Sequence, residues 1–343
     1  MIVDKLIGFF SNDMAIDLGT ANTVVSVRGK GIIINEPSVV AIQSEKHGKD
    51  RILAVGQEAK QMIGKTPLNI KAVRPMQDGV IADFEMTERM IRYFIEKAHS
   101  RKSFIRPRVI ICIPYGITQV EKKAVEESAM SAGAREVFLV EEPMAAAIGA
   151  GIDVSGPSGY VIVDIGGGTT EIGVTSLGGL VLCRSIKVGG DKIDKAIIEH
   201  VRQNYNLFIG ERVAENIKIE IGAAIKLETE LKMQVKGRDN SGLLSTIEFG
   251  SEGVRTAIKE PLREIASAIK SVLENMPPDL ASDIVDNGVI ITGGGALIRG
   301  LDKYLADIIK LPVQIADDPL LSVAYGTSQV LEQPELLKLI TNN

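Results

Sequence analysis

AIDLGTANT, residues 15–23, and VDIGGGTTEIG, residues 163–173, share one grammar: an apolar run, an aspartate, a cluster of glycine and threonine, then a further strand-like run. In each, the aspartate (Asp17 or Asp164) ends a predicted strand, and the glycines let the next strand fold straight back as a hairpin. Successive backbone N–H groups in such a turn form an anion-binding concavity. An aspartate beside it offers the hard oxygen ligands that a phosphate-bound Mg2+ prefers. Either stretch alone is compatible with an ordinary hairpin. Both together, one in each half of the chain, read as a duplicated phosphate clamp able to grip a triphosphate.

A third stretch, VIITGGGALIRGL at residues 289–301, is a buried-strand pattern running into glycines and then a predicted helix. Its glycines would let a flat ring approach backbone, or would serve close strand–helix packing. No G-x-G-x-x-G opens a βαβ unit and no G-x-x-x-x-G-K-[ST] is present, so dinucleotide-binding and P-loop readings fall. The 343 residues suffice for about two domains, and 45% hydrophobic content gives each a sizeable core. A net charge of −5 argues against nucleic acid as the main partner. Cys112 and Cys183 lie in apolar strand-like runs and read as reduced, buried thiols. His47, His99 and His200 have no metal-ligand spacing, and surface or loop positions are expected for them.

Strands are predicted from Asp13 to Ile42, where VVSVRGKGIII and PSVVAIQ are rich in β-branched residues. MTERMIRYFIEKAHS has Met86, Met90, Ile91, Phe94 and Ile95 at helical spacing. Strand RVIICIP and helix TQVEKKAVEESAMSAGA follow, with Thr118 as N-cap and Glu121 completing a capping box. The second half restarts with strand YVIVDIG, a hairpin, and helix DKIDKAIIEHVRQNYN, before an insertion over residues 209–250. Strand, hairpin and helix repeated give an α/β architecture of two related halves, mixed sheets flanked by helices.

The ordered set AIDLGTANT, EEPMAAAIGAG (141–151), DIGGGTTEIG, AENIKIEIG (214–222) and TGGGALIRG resembles the actin, Hsp70 and sugar-kinase superfamily. Within it, SNDMAIDLGTANT, VGGDKID and LASDIVDNGVIITGGGALIRGL are similar to the MreB family of bacterial actins, over nearly the whole chain. The resemblance implies an actin-like ATPase fold with the nucleotide in the cleft between the halves. The first half would take residues 1–150 and 318–343, with a small insertion at 33–75. The second would take 151–317, with an insertion at 190–250.

For the site, the resemblance implies ATP and Mg2+. Gly19, Thr20, Ala21, Asn22 and Thr23 match the first phosphate loop, and Gly166, Gly167, Gly168 and Thr169 the second. Asp17 and Asp164 would hold Mg2+ largely through waters. Glu142, just before Pro143, matches the position of the group that orients the attacking water, with Glu141 its competitor and Thr169 an assisting hydroxyl. Glu215, Asn216, Ile217 and Lys218 match the ribose and adenine segment, although related sequences often carry Arg where Asn216 stands. Gly294, Gly295, Ala296, Leu297 and Ile298 would floor the adenine pocket.

The same resemblance implies a head-to-tail homopolymer, paired as antiparallel protofilaments, that maintains rod cell shape by organising cell-wall synthesis with membrane proteins of that machinery. It implies a cytoplasmic protein, peripheral on the inner face of the plasma membrane. No stretch reaches the ~20 apolar residues of a membrane span. In MIVDKLIGFFSND, however, Ile2, Leu6, Phe9 and Phe10 share one helical face within an apolar cluster that also holds Ile7, and no basic n-region or cleavage site marks a signal peptide. In SRKSFIRPR, Phe104 and Ile105 stand between Arg101, Lys102, Arg106 and Arg108, a pattern suited to an anionic leaflet. Each patch binds weakly alone, so a polymer presenting many copies gains by avidity. Val120 is a candidate contact between protofilaments, or else caps its own core. A small-molecule kinase and a nonpolymerising ATP-binding scaffold of the same fold are the alternatives; no acceptor-substrate cluster is visible in the sequence.

Overall fold

The computed structural model describes residues 12–43, 51–98 and 106–341. Two compact units emerge: Met1–Pro157 with Thr175–Leu180 and Leu321–Asn343, and Ser158–Val174 with Val181–Leu320.

The first unit opens with β1 (Met14–Leu18), β2 (Asn22–Val27) and β3 (Gly31–Pro37), consecutive antiparallel strands. A small sheet follows from β4 (Val40–Gln43), β5 (Arg51–Val55) and β6 (Ile70–Val73), with α1 (Gln57–Met62) between the last two. The short pair β7 (Met76–Gln77) and β8 (Val80–Ile81) leads into α2 (Phe84–Ala98). Then come β9 (Arg108–Ile113), α3 (Gln119–Ser131), β10 (Glu136–Glu141) and α4 (Glu142–Gly149). The main sheet runs β10-β9-β1-β2-β3, with β9 and β10 parallel to β1. The small sheet starts only at Val40 because β3 is held in the main sheet by its ladder to β2, so residues 33–37 are not part of the insertion.

The apolar spacing of α2 does what the sequence predicts: Met86, Met90, Ile91, Phe94 and Ile95 are all buried against the strands. Thr118 caps α3 as expected. Its hydroxyl accepts from the Glu121 amide at 3.2 Å, and the Glu121 carboxylate accepts from the Thr118 amide at 2.7 Å. RVIICI of β9 is buried on both faces, as a central parallel strand must be, which explains its unbroken apolar run and buries Cys112.

The second unit repeats this order. β11 (Tyr160–Ile165), β12 (Thr170–Ser176) and β13 (Gly179–Ile186) are successive neighbours. Helix α5 (Gly190–Tyr205), β14 (Leu207–Phe208), α6 (Glu211–Ile221), β15 (Lys232–Asp239), β16 (Leu244–Gly250), α7 (Ser251–Ala257), α8 (Lys259–Asn275) and α9 (Ala281–Asn287) follow. β17 (Val289–Thr292), a 3-10 turn (Gly294–Leu297), α10 (Leu301–Ile309) and β18 (Val313–Ile315) complete it. The sheet runs β18-β17-β11-β12-β13, with β17 parallel to β11 and β18 parallel to β17. Strand for strand this is the order of the first sheet, so the duplication read in the hairpins extends to the topology. Cys183, on β13, is only partly buried, and neither cysteine is in a disulfide. His200, expected at the surface, is half-buried on α5 beside Phe249, which pushes its pKa down by desolvation. The chain then returns to the first unit through α11 (Ser322–Glu332) and α12 (Pro334–Thr341).

Candidate functional site

Asp17 and Asp164 occupy the same place, one residue before the end of β1 and of β11. The first turn is a hairpin with Leu18 opposite Thr23. A Cβ on Gly19 would stand 2.7 Å from the Asn22 carbonyl oxygen, so only glycine closes it. Ser38 splints the turn from outside. Its hydroxyl donates to the Gly19 carbonyl at 2.6 Å, its amide donates to the Ala21 carbonyl at 3.0 Å, and the Thr23 hydroxyl lies 2.9 Å away. In a trans peptide the C=O and the following N–H point opposite ways. With the Gly19 and Ala21 carbonyls committed to Ser38, the amides of Thr20 and Asn22 are therefore turned to the other side. Thr20 and Thr23 are buried, and Ala21 and Asn22 are exposed.

The second turn is arranged likewise by a different splint. Gly166 donates to the Thr169 carbonyl at 2.9 Å. The first amides of α5 take the turn's carbonyls: Gly190 to Gly166 at 3.0 Å and Asp191 to Gly167 at 2.8 Å. The amides of Gly167 and Gly168 are thereby directed away from α5, as two successive donors of an anion nest. Gly189 must be glycine, since a Cβ there would lie 2.7 Å from both of those carbonyl oxygens. Thr169, ending the turn, is buried.

Asp164 is 7% exposed, and burial pushes its carboxyl up to about 6. Gly293, at φ +79°, backs it: a Cβ there would meet Asp164 Oδ1 at 2.3 Å. A carboxylate whose charge is disfavoured by burial gains most from a nearby cation, and Asp17 and Asp164 each offer the hard carboxylate oxygens that Mg2+ takes. The residues fit that ion. The folded chain holds a proton on Asp164 across pH 4–6 that the unfolded chain releases, so its contribution to stability rises as pH falls through that window. Ligand-free protein should thus gain about 2 kcal/mol from this group between about pH 7 and pH 4.5. Asp164→Asn should lack the gain. Urea unfolding of both at the two pH values checks it, and a difference that stays constant with pH refutes it.

Glu141 and Glu142 differ in burial and in partners. Glu141 ends β10, is 32% exposed at its side chain, and pairs with Lys122 of α3 at 3.6 Å. Glu142 begins α4 and is 9% exposed, followed by Pro143, whose missing N–H costs nothing in a first helical turn.

On α6, Glu215 and Lys218 lie one turn apart and are partly buried, while Asn216 is exposed. Ile217 is fully buried in the core, so it anchors the helix and presents no surface to a ligand. The glycine-rich stretch after β17 departs from expectation: a 3-10 turn, not an α-helix, follows the glycines, and α10 starts only at Leu301. A Cβ on Gly295 would meet Ile165 Cγ2 at 2.2 Å, so that glycine serves packing against β11. Ala296 and Ile298 are core residues, whereas Gly294 and Leu297 are exposed. Of the proposed adenine floor, the latter two offer surface. Ile2, Leu6, Ile7, Phe9, Phe10, Phe104 and Ile105 lie outside the described residues. Among the described residues no helix is long and apolar enough to cross a membrane, and no cluster of three or more His, Cys, Asp or Glu could hold a metal.

Sequence reasoning missed two residues here. Ser38 carries no motif. Asp194 had a signal: it is an acid on the apolar face of α5, between Ile193 and Ile197, which are fully buried.

Residues 11–339 match the family model described as MreB/Mbl protein. The chain is 52% identical over 339 residues to the cell shape-determining protein MreB of Escherichia coli strain K12, covering 98% of this chain and 97% of that protein. It is 49% identical over 329 residues to the cell shape-determining protein Mbl of Bacillus subtilis strain 168, covering 96% and 98%. Among solved structures, MreB5 of Spiroplasma citri bound to AMPPNP superposes with a TM-score of 0.89 at 39% identity, over 96% of this chain and 98% of that one. The MamK double helical filament subunit shares the fold, with a TM-score of 0.79 at 21% identity over 94% and 99%. The repeated sheet order, the paired Asp-ended turns and these matches agree: the fold is actin-like, and the chain belongs to the MreB/Mbl family.

Proposed function

We propose that this protein is a membrane-associated, ATP-dependent filament-forming actin that maintains rod shape by organising cell-wall synthesis, hydrolysing ATP slowly as the polymer ages. The observation that supports the reading is the pair of turns after Asp17 and Asp164, each with its carbonyls held by a splint and its backbone amides turned to the other side. Relatives at 49–52% identity are named as cell shape-determining proteins, and the Spiroplasma citri MreB5 structures are described as bound to AMPPNP and ADP.

In this reading the amides of Thr20, Asn22, Gly167 and Gly168 take phosphate oxygens. Asp17 and Asp164 hold Mg2+ through waters; the ion when bound offsets the charge of the transferring phosphoryl group. Glu142 orients the attacking water and accepts its proton, assisted by the Thr169 hydroxyl. Glu215 and Lys218 meet the ribose and base. Subunits stack head to tail, a heterologous contact that continues as a filament unless its rotation closes a ring. Val120, 75% exposed in the first turn of α3, does not cap its own core and is free to join antiparallel protofilaments. Residues 2–10 and Phe104–Ile105 bind the cytoplasmic face of the plasma membrane, where membrane proteins of wall synthesis are the partners.

Co-sedimentation with anionic liposomes, with and without ATP and Mg2+, followed by electron microscopy of the pellet, tests the proposal. Nucleotide-dependent paired filaments on vesicles are expected. Deleting residues 1–10 should weaken liposome binding while sparing phosphate release. Filament-free protein that binds ATP at every concentration tried would favour the scaffold, and phosphate transfer to a sugar would favour the kinase.

A further inference from the structure

Lys218 of α6 does not reach freely into solvent. Its ammonium donates to Asp194 Oδ2 at 2.9 Å and to the Gly190 carbonyl at 3.2 Å, with the two side chains 17% and 11% exposed. Gly190 is the residue whose amide holds the Gly166 carbonyl, so the Lys218 head sits one peptide away from the second phosphate turn. A Cβ on Gly190 would stand 3.0 Å from Lys218 Nζ, which marks how closely the ammonium packs on this turn.

As a stabilising device the arrangement is poor. Asp194 Oδ1 is buried with no hydrogen-bond partner among the described residues, and a buried ion pair seldom outperforms apolar packing of the same volume. Burial, partly countered by Lys218 and reinforced by Glu215 and Asp191, raises the Asp194 carboxyl to about 6. What the arrangement does fix is direction. An ammonium has three donors; two are committed here, so the orientation of the third is set. Glu215, one turn earlier on the same helix, is carried with it.

We propose that Asp194 is a positioning residue for the nucleotide sugar. It holds Lys218 against the Gly190 carbonyl, keeping the Glu215–Lys218 face of α6 in register with the Gly166–Gly168 turn, so that sugar recognition and phosphate recognition are set by one framework. The inference rests on the reading of this site as an ATP site. Because a site built to hydrogen-bond a hydroxyl rejects the analogue lacking it, the consequence is discrimination for ribose.

The experiment is calorimetric titration of the full chain with ATP and with 2′-deoxy-ATP, each with Mg2+. Wild type should prefer ATP about tenfold. Asp194→Asn should bring that ratio down to about twofold or less, and Asp194→Glu, which keeps the charge, should restore part of it. Should Asp194→Asn not fold, the double variant Asp194→Leu/Lys218→Met replaces the pair with apolar groups and should fold while losing the ratio. A purely structural role would weaken both nucleotides together and leave the ratio unchanged; that result overturns the proposal, as does a wild type that binds both equally. A wild type that binds neither refutes the ATP reading itself, and this inference with it.

Discussion

Replacing Glu142 by alanine is expected to leave ATP bound, with affinity within about threefold, while phosphate release falls about 100-fold or more, the range for removing a positioned general base. The expectation follows from the burial and partners of the two adjacent acids. Glu141 is spent on an outward ion pair with Lys122, an interaction worth at most about 1 kcal/mol at such exposure. Glu142, the first residue of α4, is buried with 9% of its surface exposed, so bulk water has little access to its carboxylate. Glu141→Ala should therefore keep phosphate release within about twofold. Glu142→Gln separates the two jobs of the side chain: it can still orient a water but cannot take its proton, so it should fall between the wild type and the alanine variant. Single-turnover phosphate release alongside titration with ATP reads all three. If Glu142→Ala abolished ATP binding the assignment would be wrong, and if Glu141→Ala were the slow variant it would be reversed.

The parts of this fold that were legible are those whose signals are local. Both hairpins were written in a few consecutive residues, because the turn chemistry of Gly19 and of Gly166–Gly168 needs nothing distant to specify it. The same is true of α2, whose buried stripe repeats at helical spacing, and of the Thr118–Glu121 box. What was hidden depends on partners far along the chain. Ser38 splints a turn whose carbonyl lies 19 residues away, and Asp194 meets a lysine 24 residues away. The glycines of residues 293–295 read as room for a ring or for close packing, and at Gly295 the missing Cβ accommodates Ile165, a partner the local spacing does not name. Ile217 falls inside a binding motif but on the buried side of α6, a matter of helical phase between Glu215 and Lys218. The limit of the small insertion was misread because GIII of β3 has the same β-branched character whether it joins the main sheet or the small one; pairing with β2 decides it.

The largest loss of stability is expected from a substitution that would ordinarily help. Gly326 lies inside α11, where alanine is favoured over glycine by about 1 kcal/mol in intrinsic helix propensity. Here a Cβ would stand 1.8 Å from the Ala145 carbonyl oxygen and 2.9 Å from the Gly149 amide nitrogen. Across the contact, a Cβ on Gly149 would stand 1.7 Å from the Ser322 carbonyl oxygen. Backbone meets backbone at this crossing, with Ala145, Ala146 and Ala147 fully buried around it, so no flexible side chain can yield. The helices must separate, and overpacking of this kind costs about 3 kcal/mol or more, which outweighs the gain in propensity. Gly326→Ala should accordingly lower the urea midpoint strongly, whereas Gly210→Ala, with nothing within 4 Å of its Cβ and an ordinary negative φ, should change stability by less than about 1 kcal/mol. The effect should also reach the chemistry. Helix α4 begins at Glu142, and a helix pushed off α11 carries that carboxylate with it, so phosphate release should fall even under conditions where Gly326→Ala remains folded. A Gly326→Ala protein as stable as wild type would mean that α4 and α11 are not in backbone contact, and one that is unstable but hydrolyses ATP at the wild-type rate would uncouple that contact from the placement of Glu142.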